Sequence, residues 1–109
     1  MLPNGDRAVL DPRKLVDYCL SPTHARGRHK ARVFRESLGI GQPDATELQA
    51  FLLDAAARES ATRIPGDSWG ERWQIDAPIS RQGRRAMVRT IWIVRSGEHI
   101  PRFVTCWVL

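Results

Sequence analysis

Apolar residues recur at two different periods along this chain, and the change from one to the other falls just after Ser60. Before that point the spacing is helical. Leu15, Val16, Cys19 and Leu20 form the stripe of a short first helix. Asp11 is placed as its N-cap and Pro12 at its first helical position, and Ser21-Pro22 stops it. A second helix is predicted from about Arg28 to Leu38, with Ala31, Phe34 and Leu38 on its buried face and Gly39 as its C-cap. Asp44 or Thr46 caps a third helix that runs to about Glu59, with Leu48, Phe51, Leu52 and Ala55 on one side. Glu47 and Asp54 make this third helix scaffold rather than a surface for nucleic acid.

After Ser60 the period falls to two. Ala61 to Ile64 reads as a short edge strand ended by Pro65-Gly66. Trp73, Ile75, Ala77 and Ile79 alternate with Arg72, Gln74, Asp76 and Pro78, the pattern of a half-buried strand. A glycine-containing turn over Ser80–Arg84 leads to Met87–Val94, apolar on both faces and therefore the central strand. Ser96-Gly97-Glu98 turns the chain into a last strand, Arg102 to Leu109. Helices first and a meander afterwards predict a single α+β domain over residues 1–109: three N-terminal helices on a four-stranded antiparallel sheet.

Composition narrows the class. The 109 residues are 42% hydrophobic and 27% charged, which is globular. No apolar run approaches the roughly 20 residues of a membrane helix, and Met-Leu-Pro-Asn-Gly-Asp-Arg lacks the apolar core of a secretory signal, so a cytoplasmic location without membrane contact is expected. Cys19 and Cys106 read as two buried thiols rather than a disulfide. Two Cys and three His without close spacing make no zinc site, and neither a metal nor a cofactor is implied.

Charge adds a direction. The net +5 is divided as +4 over residues 1–40, −3 over 41–60 and +4 over 61–109. The first and last thirds therefore supply a basic surface suited to a polyanion. Its densest part lies between His24 and Arg35, where five of the seventeen Lys and Arg residues and two of the three His residues fall. This loop feeds cations into a helix start, where backbone N–H groups and the helix dipole favour a phosphate. RNA is the expected partner. Arg26, Arg28 and Arg32 form a solvated basic face, His29 lies on the outer side of the helix, and Lys30 flanks the apolar stripe with its ammonium free to enter a cleft. Trp69, Trp73, Trp92 and Trp107 could stack bases, with Trp92 placed among the binding residues, although core filling is the better reading for most of the four.

Leu10-Asp11-Pro12-Arg13-Lys14-Leu15, Asp17-Tyr18 and His24-x-x-Gly27-Arg28-His29-Lys30-Ala31-Arg32-Val33-Phe34 resemble the pattern of an uncharacterised bacterial small-domain family. So do Val88-Arg89-Thr90-x-Trp92-Ile93-Val94 and Pro101-Arg102-x-x-Thr105-Cys106, and the likeness covers nearly the whole chain. That family is distantly similar to the toxin ribonuclease domains grouped with barnase, EndoU, colicin and RelE. The toxin-like pattern falls on His24, Gly27, Lys30, Ala31, Phe34, Arg89, Trp92 and Thr105. The resemblance implies a metal-independent endoribonuclease, the toxin of a two-gene or polymorphic toxin system, with a small antitoxin or immunity protein as partner. Such cleavage needs a base for the 2′-hydroxyl, an acid for the leaving oxygen and cations around phosphorus. The implied roles are His24 as base or acid, Lys30 and Arg89 as phosphate clamps, and Thr105 as a hydrogen-bond donor. Against these stand plainer readings: His24 as a helix cap, Arg89 as a cross-strand partner of Asp76 or Glu71, and Thr105 as an ordinary strand residue. Two other classes remain open, a non-catalytic nucleic-acid- or protein-binding module of antitoxin or immunity type, and an oligomer formed through the Arg102–Leu109 edge. Oligomeric state is not legible. The ribonuclease reading requires His24, Lys30, Arg89 and Thr105 to converge on one hollow.

Overall fold

The two hydrophobic periods become two layers in the computed structural model, which describes residues 1–109. Strands β1 (Ala61–Asp67), β2 (Gly70–Arg81), β3 (Arg84–Arg95) and β4 (Arg102–Val108) form one antiparallel sheet in the order β1-β2-β3-β4. Helices α1 (Arg28–Leu38) and α2 (Ala45–Arg58) supply the apolar residues that pack against one face of it. A helical turn, Leu15–Cys19, precedes them, so the fold is α+β with three helical segments ahead of a four-stranded meander.

The core forms where the two periods meet. Phe34 and Leu38 from α1 and Leu48 and Leu52 from α2 are fully buried with Ile75, Val88, Trp92 and Phe103 of the sheet. Burying each such side chain stabilises the fold by roughly 1.5–3 kcal/mol. Trp92 meets Phe103 edge to face, with ring centres 5.5 Å apart. One polar group sits in this core. Thr90 Oγ1 donates to the Ile75 carbonyl at 2.8 Å and accepts from Trp92 Nε1 at 2.8 Å, so a single hydroxyl satisfies two buried groups.

Several boundaries differ from the sequence reading, each for a local reason. The first helix is a π-helical turn closed by the Leu20 amide on the Leu15 carbonyl, five residues back. This wider turn lets the consecutive residues Cys19 and Leu20 both enter the core. Strand β1 does not stop at Pro65-Gly66 but passes through them as a bulge and resumes pairing at Asp67 with Gly70. Strands β2 and β3 run into a two-residue turn in which Gln82 (φ 51°) and Gly83 (φ 77°) both adopt left-handed backbone. The arginines flanking that turn obscured the alternation because they are used structurally. Arg81 donates to the carbonyls of Leu38 and Gly39 at the end of α1 and pairs with Asp44 and Glu47. Arg84 reaches the Arg35 and Glu36 carbonyls. Cations there complement the negative end of the helix and fix α1 against the hairpin.

Strand β4 lies at an edge of the sheet, and the start of that edge is already occupied. Val9 pairs with it through Pro101 and Phe103, and Lys14 Nζ donates to the Phe103 carbonyl at 2.7 Å. A lysine laid on an edge strand discourages the strand-to-strand pairing an oligomer would need. No helix is long and apolar enough to cross a membrane.

Replacing Thr90 by Val keeps the shape but leaves the Trp92 indole N–H without an acceptor. Urea denaturation should show a loss of about 1–3 kcal/mol, largely recovered in Thr90→Ser. Equal stability of Thr90→Val and the parent would remove this hydroxyl from the account of the core.

Candidate functional site

The site is built where the N-terminal end of α1 meets the free edge of β4. Gly27 brings the two preceding segments into register. A Cβ at this position would collide with the Tyr18 carbonyl oxygen, so only glycine lets the start of α1 lie directly on the helical turn that carries Tyr18. From the first turn of α1, Lys30 then extends across the edge of the sheet. Its Nζ lies 3.3 Å from Tyr18 Oη and 3.2 Å from Thr105 Oγ1. The same ammonium sits 4.9 Å from the centre of the Tyr18 ring and 5.3 Å from that of Trp107. None of its partners is a carboxylate: it takes part in no ion pair.

A bulge explains how an edge strand presents Thr105 to Lys30. The β3–β4 register runs from Trp92 opposite Phe103 to Ile91 opposite Thr105, leaving Val104 as the extra residue. Such an insertion bends the strand and re-aims the side chain that follows. Thr105 Oγ1 also approaches Cys19 Sγ at 3.9 Å. Cys19 and Cys106 are free and buried. The neighbouring Cys106, then Thr105 and the charge of Lys30, hold the Cys19 thiol below its usual range, whereas burial drives Cys106 well above it.

His24 stands beside this group, its ring edge-on to Tyr18 with centres 4.7 Å apart. Its Nδ1 accepts the backbone N–H groups of Arg26 and Gly27, both at 3.0 Å. The imidazole thus caps the turn ahead of α1, and its proton is assigned to Nε2. In that tautomer Nε2 donates and does not accept, so the base role expected of His24 is incompatible with the cap. A donor role toward an anion remains.

Two further expectations are corrected. Arg89 does not join the group. Its guanidinium forms a two-bond pair with Asp76 at 2.9 and 3.0 Å, directed toward β2 and away from the strand that carries Thr105. This is the cross-strand partnership foreseen as the plainer reading, and it holds the Asp76 carboxyl below its ordinary range. Trp92 is fully buried with its N–H on Thr90, so no face is open to a base. The remaining binding candidates lie on the surface. Arg26 and Arg28 are exposed without ion pairs, Arg32 faces Glu36 at 4.0 Å, and His29 borders a groove beside Lys30.

Tyr18 is the residue that sequence reasoning missed, and Trp107 was one of four tryptophans considered for base stacking, of which Trp92 was the one chosen. Tyr18 stands 12 residues before Lys30 in a π-helical turn whose geometry no periodicity announces. Core filling was the better reading for most of the tryptophans, and Trp107 is instead only partly buried, on the edge strand. No group of three or more His, Cys, Asp and Glu side chains is gathered as metal ligands.

The architecture is thus a small α+β domain with a cationic site at one sheet edge. The chain belongs to the family described as a domain of unknown function (DUF6883), matched over residues 1–109. No curated protein matches it in sequence. Among solved structures it is similar to a chain of the contact-dependent growth inhibition toxin–immunity protein complex from Klebsiella pneumoniae 342. The TM-score is 0.73 at 13% identity, covering 93% of this chain and 99% of that one. At that identity the likeness is one of fold.

Replacing His24 by Ala should lower stability by about 0.5–2 kcal/mol, through loss of the acceptor for two backbone N–H groups, and Asn or Asp should restore most of it. Thermal or urea unfolding checks this, and an unaffected Ala variant would contradict the capping role.

Proposed function

We propose that this domain acts on RNA, as the toxin of a toxin–immunity pair, through metal-independent cleavage at a phosphate held by Lys30. The observation that carries the reading is an ammonium group, partly buried between two rings, whose only hydrogen-bond partners are the hydroxyls of Tyr18 and Thr105. A structural lysine in a partly dry site normally takes a carboxylate, because its charge is otherwise uncompensated. Here the missing anion is supplied by the ligand. Lys30 Nζ and the Tyr18 and Thr105 hydroxyls converge as donors, which suits the equatorial oxygens of a phosphodiester. His24, whose ring meets Tyr18 edge-on with centres 4.7 Å apart, supplies its Nε2–H as a further donor. Arg26 and Arg28, exposed and unpaired, extend the positive field along the incoming strand.

The similarity of fold to a chain of a toxin–immunity complex supports the biological half of the reading. An immunity protein that blocks such a domain would present carboxylates to Lys30 and the basic face of α1. A second reading, a non-catalytic module of immunity or antitoxin type, is favoured by one observation. The Nδ1 of His24 is committed to the α1 cap, which removes the most obvious base.

Purified protein incubated with total RNA in the presence of a chelator separates the two. The proposal expects fragments ending in cyclic phosphate, and cleavage by Lys30→Ala slower by about 10²-fold or more. RNA left intact by the parent protein would overturn cleavage and favour the binding module.

A further inference from the structure

Beside Lys30, between α1 and the free edge of β4, runs an open groove of about 380 Å³ lined by His29, Lys30, Val33, Trp107 and Val108. Its walls are mostly apolar, yet the cation is part of its lining. Val33 and Val108 offer aliphatic surface, and Trp107, half-exposed, offers the large flat one. No other tryptophan is placed this way. Trp92 is sealed in the core, Trp73 packs against it, and Trp69 projects from the β1–β2 turn at the far end of the strands.

We infer that this groove is a nucleobase subsite, in which Trp107 stacks the base of the nucleotide whose phosphate Lys30 holds. The inference rests on the phosphate reading above and goes further, assigning the strand an unpaired base. The groove sets an aromatic ring and a cation side by side. The ammonium lies over the indole ring, 5.3 Å from its centre, so the base takes the part of the ring that Lys30 leaves open to the groove and its phosphate stays within reach of Nζ. Charge selects between occupants. An apolar side chain of a protein would fill the groove equally well, but it would leave Lys30 facing it without an anion. A nucleotide supplies both parts. His29 at the rim can donate to or accept from a base edge. Stacking on an aromatic face tolerates any base, so the subsite would favour single-stranded over paired RNA rather than one sequence. A base held in a duplex cannot reach an edge groove of this kind without leaving its stack.

The test compares two strands of equal length and charge by fluorescence polarisation, using the full chain. One is a 2′-O-methylated oligouridylate, which resists cleavage, and the other is an abasic oligomer. The parent protein should bind the base-bearing strand roughly 5- to 150-fold more tightly, the range expected for one stacked base. Trp107→Leu should lose that preference while still binding the abasic strand, Trp107→Tyr should retain part of it, and Lys30→Ala should weaken both strands. Equal binding of the two strands by the parent would overturn the subsite and leave the phosphate reading standing, a result that needs no variant to fold. Binding of neither strand by the parent would overturn both.

Discussion

A single positive charge at the edge of the sheet organises this molecule's chemistry. Lys30 reaches out of α1 into a position where two aromatic rings and two hydroxyls surround it and no carboxylate answers it. Everything needed to hold it there is structural. Gly27 permits the contact between α1 and the Tyr18 turn, the bulge at Val104 turns Thr105 toward the ammonium, and Arg81 and Arg84 anchor the other end of the helix. A charge held among neutral groups stabilises the fold little. It is better understood as a place kept for an anion.

The basic character of the sequence therefore divides into two kinds of arginine and lysine. Arg81, Arg84, Arg89 and Lys14 are committed to internal partners: carbonyls at a helix end, a carboxylate across the strands, a carbonyl at the sheet edge. Arg26 and Arg28 are not, and Lys30 meets only two hydroxyls. Net charge alone could not make that division, because it depends on which carbonyls and carboxylates the fold brings within reach. Arg26 and Arg28 give the leading end of α1 two exposed cations without ion pairs, and Arg7, Arg35, Arg85 and Arg95 are exposed and unpaired elsewhere on the surface.

The fold was legible where the hydrophobic period was strong. Ala31, Phe34 and Leu38 marked the buried side of α1, and Gly39 ended it with the expected left-handed backbone. Trp73, Ile75, Ala77 and Ile79 marked the inner side of β2. What escaped was irregular: a π-helical turn, a bulge that carries a proline, and strand ends written in arginine. The site escaped for the same reason. Lys30 and Thr105 were identifiable by type, but Tyr18 and Trp107 join them through a π-helical turn and a β-bulge, which leave no trace in a periodic pattern. Arg89 was misplaced because a charge in an apolar strand looks functional until its opposite register position, Asp76, is known.

Titration of the isotope-labelled protein with a short 2′-O-methylated oligonucleotide, followed by NMR, addresses the site directly. The account predicts that the signals of Tyr18, Lys30 and Thr105 move together and saturate at one stoichiometry. An oligonucleotide that binds without disturbing Lys30 would contradict it.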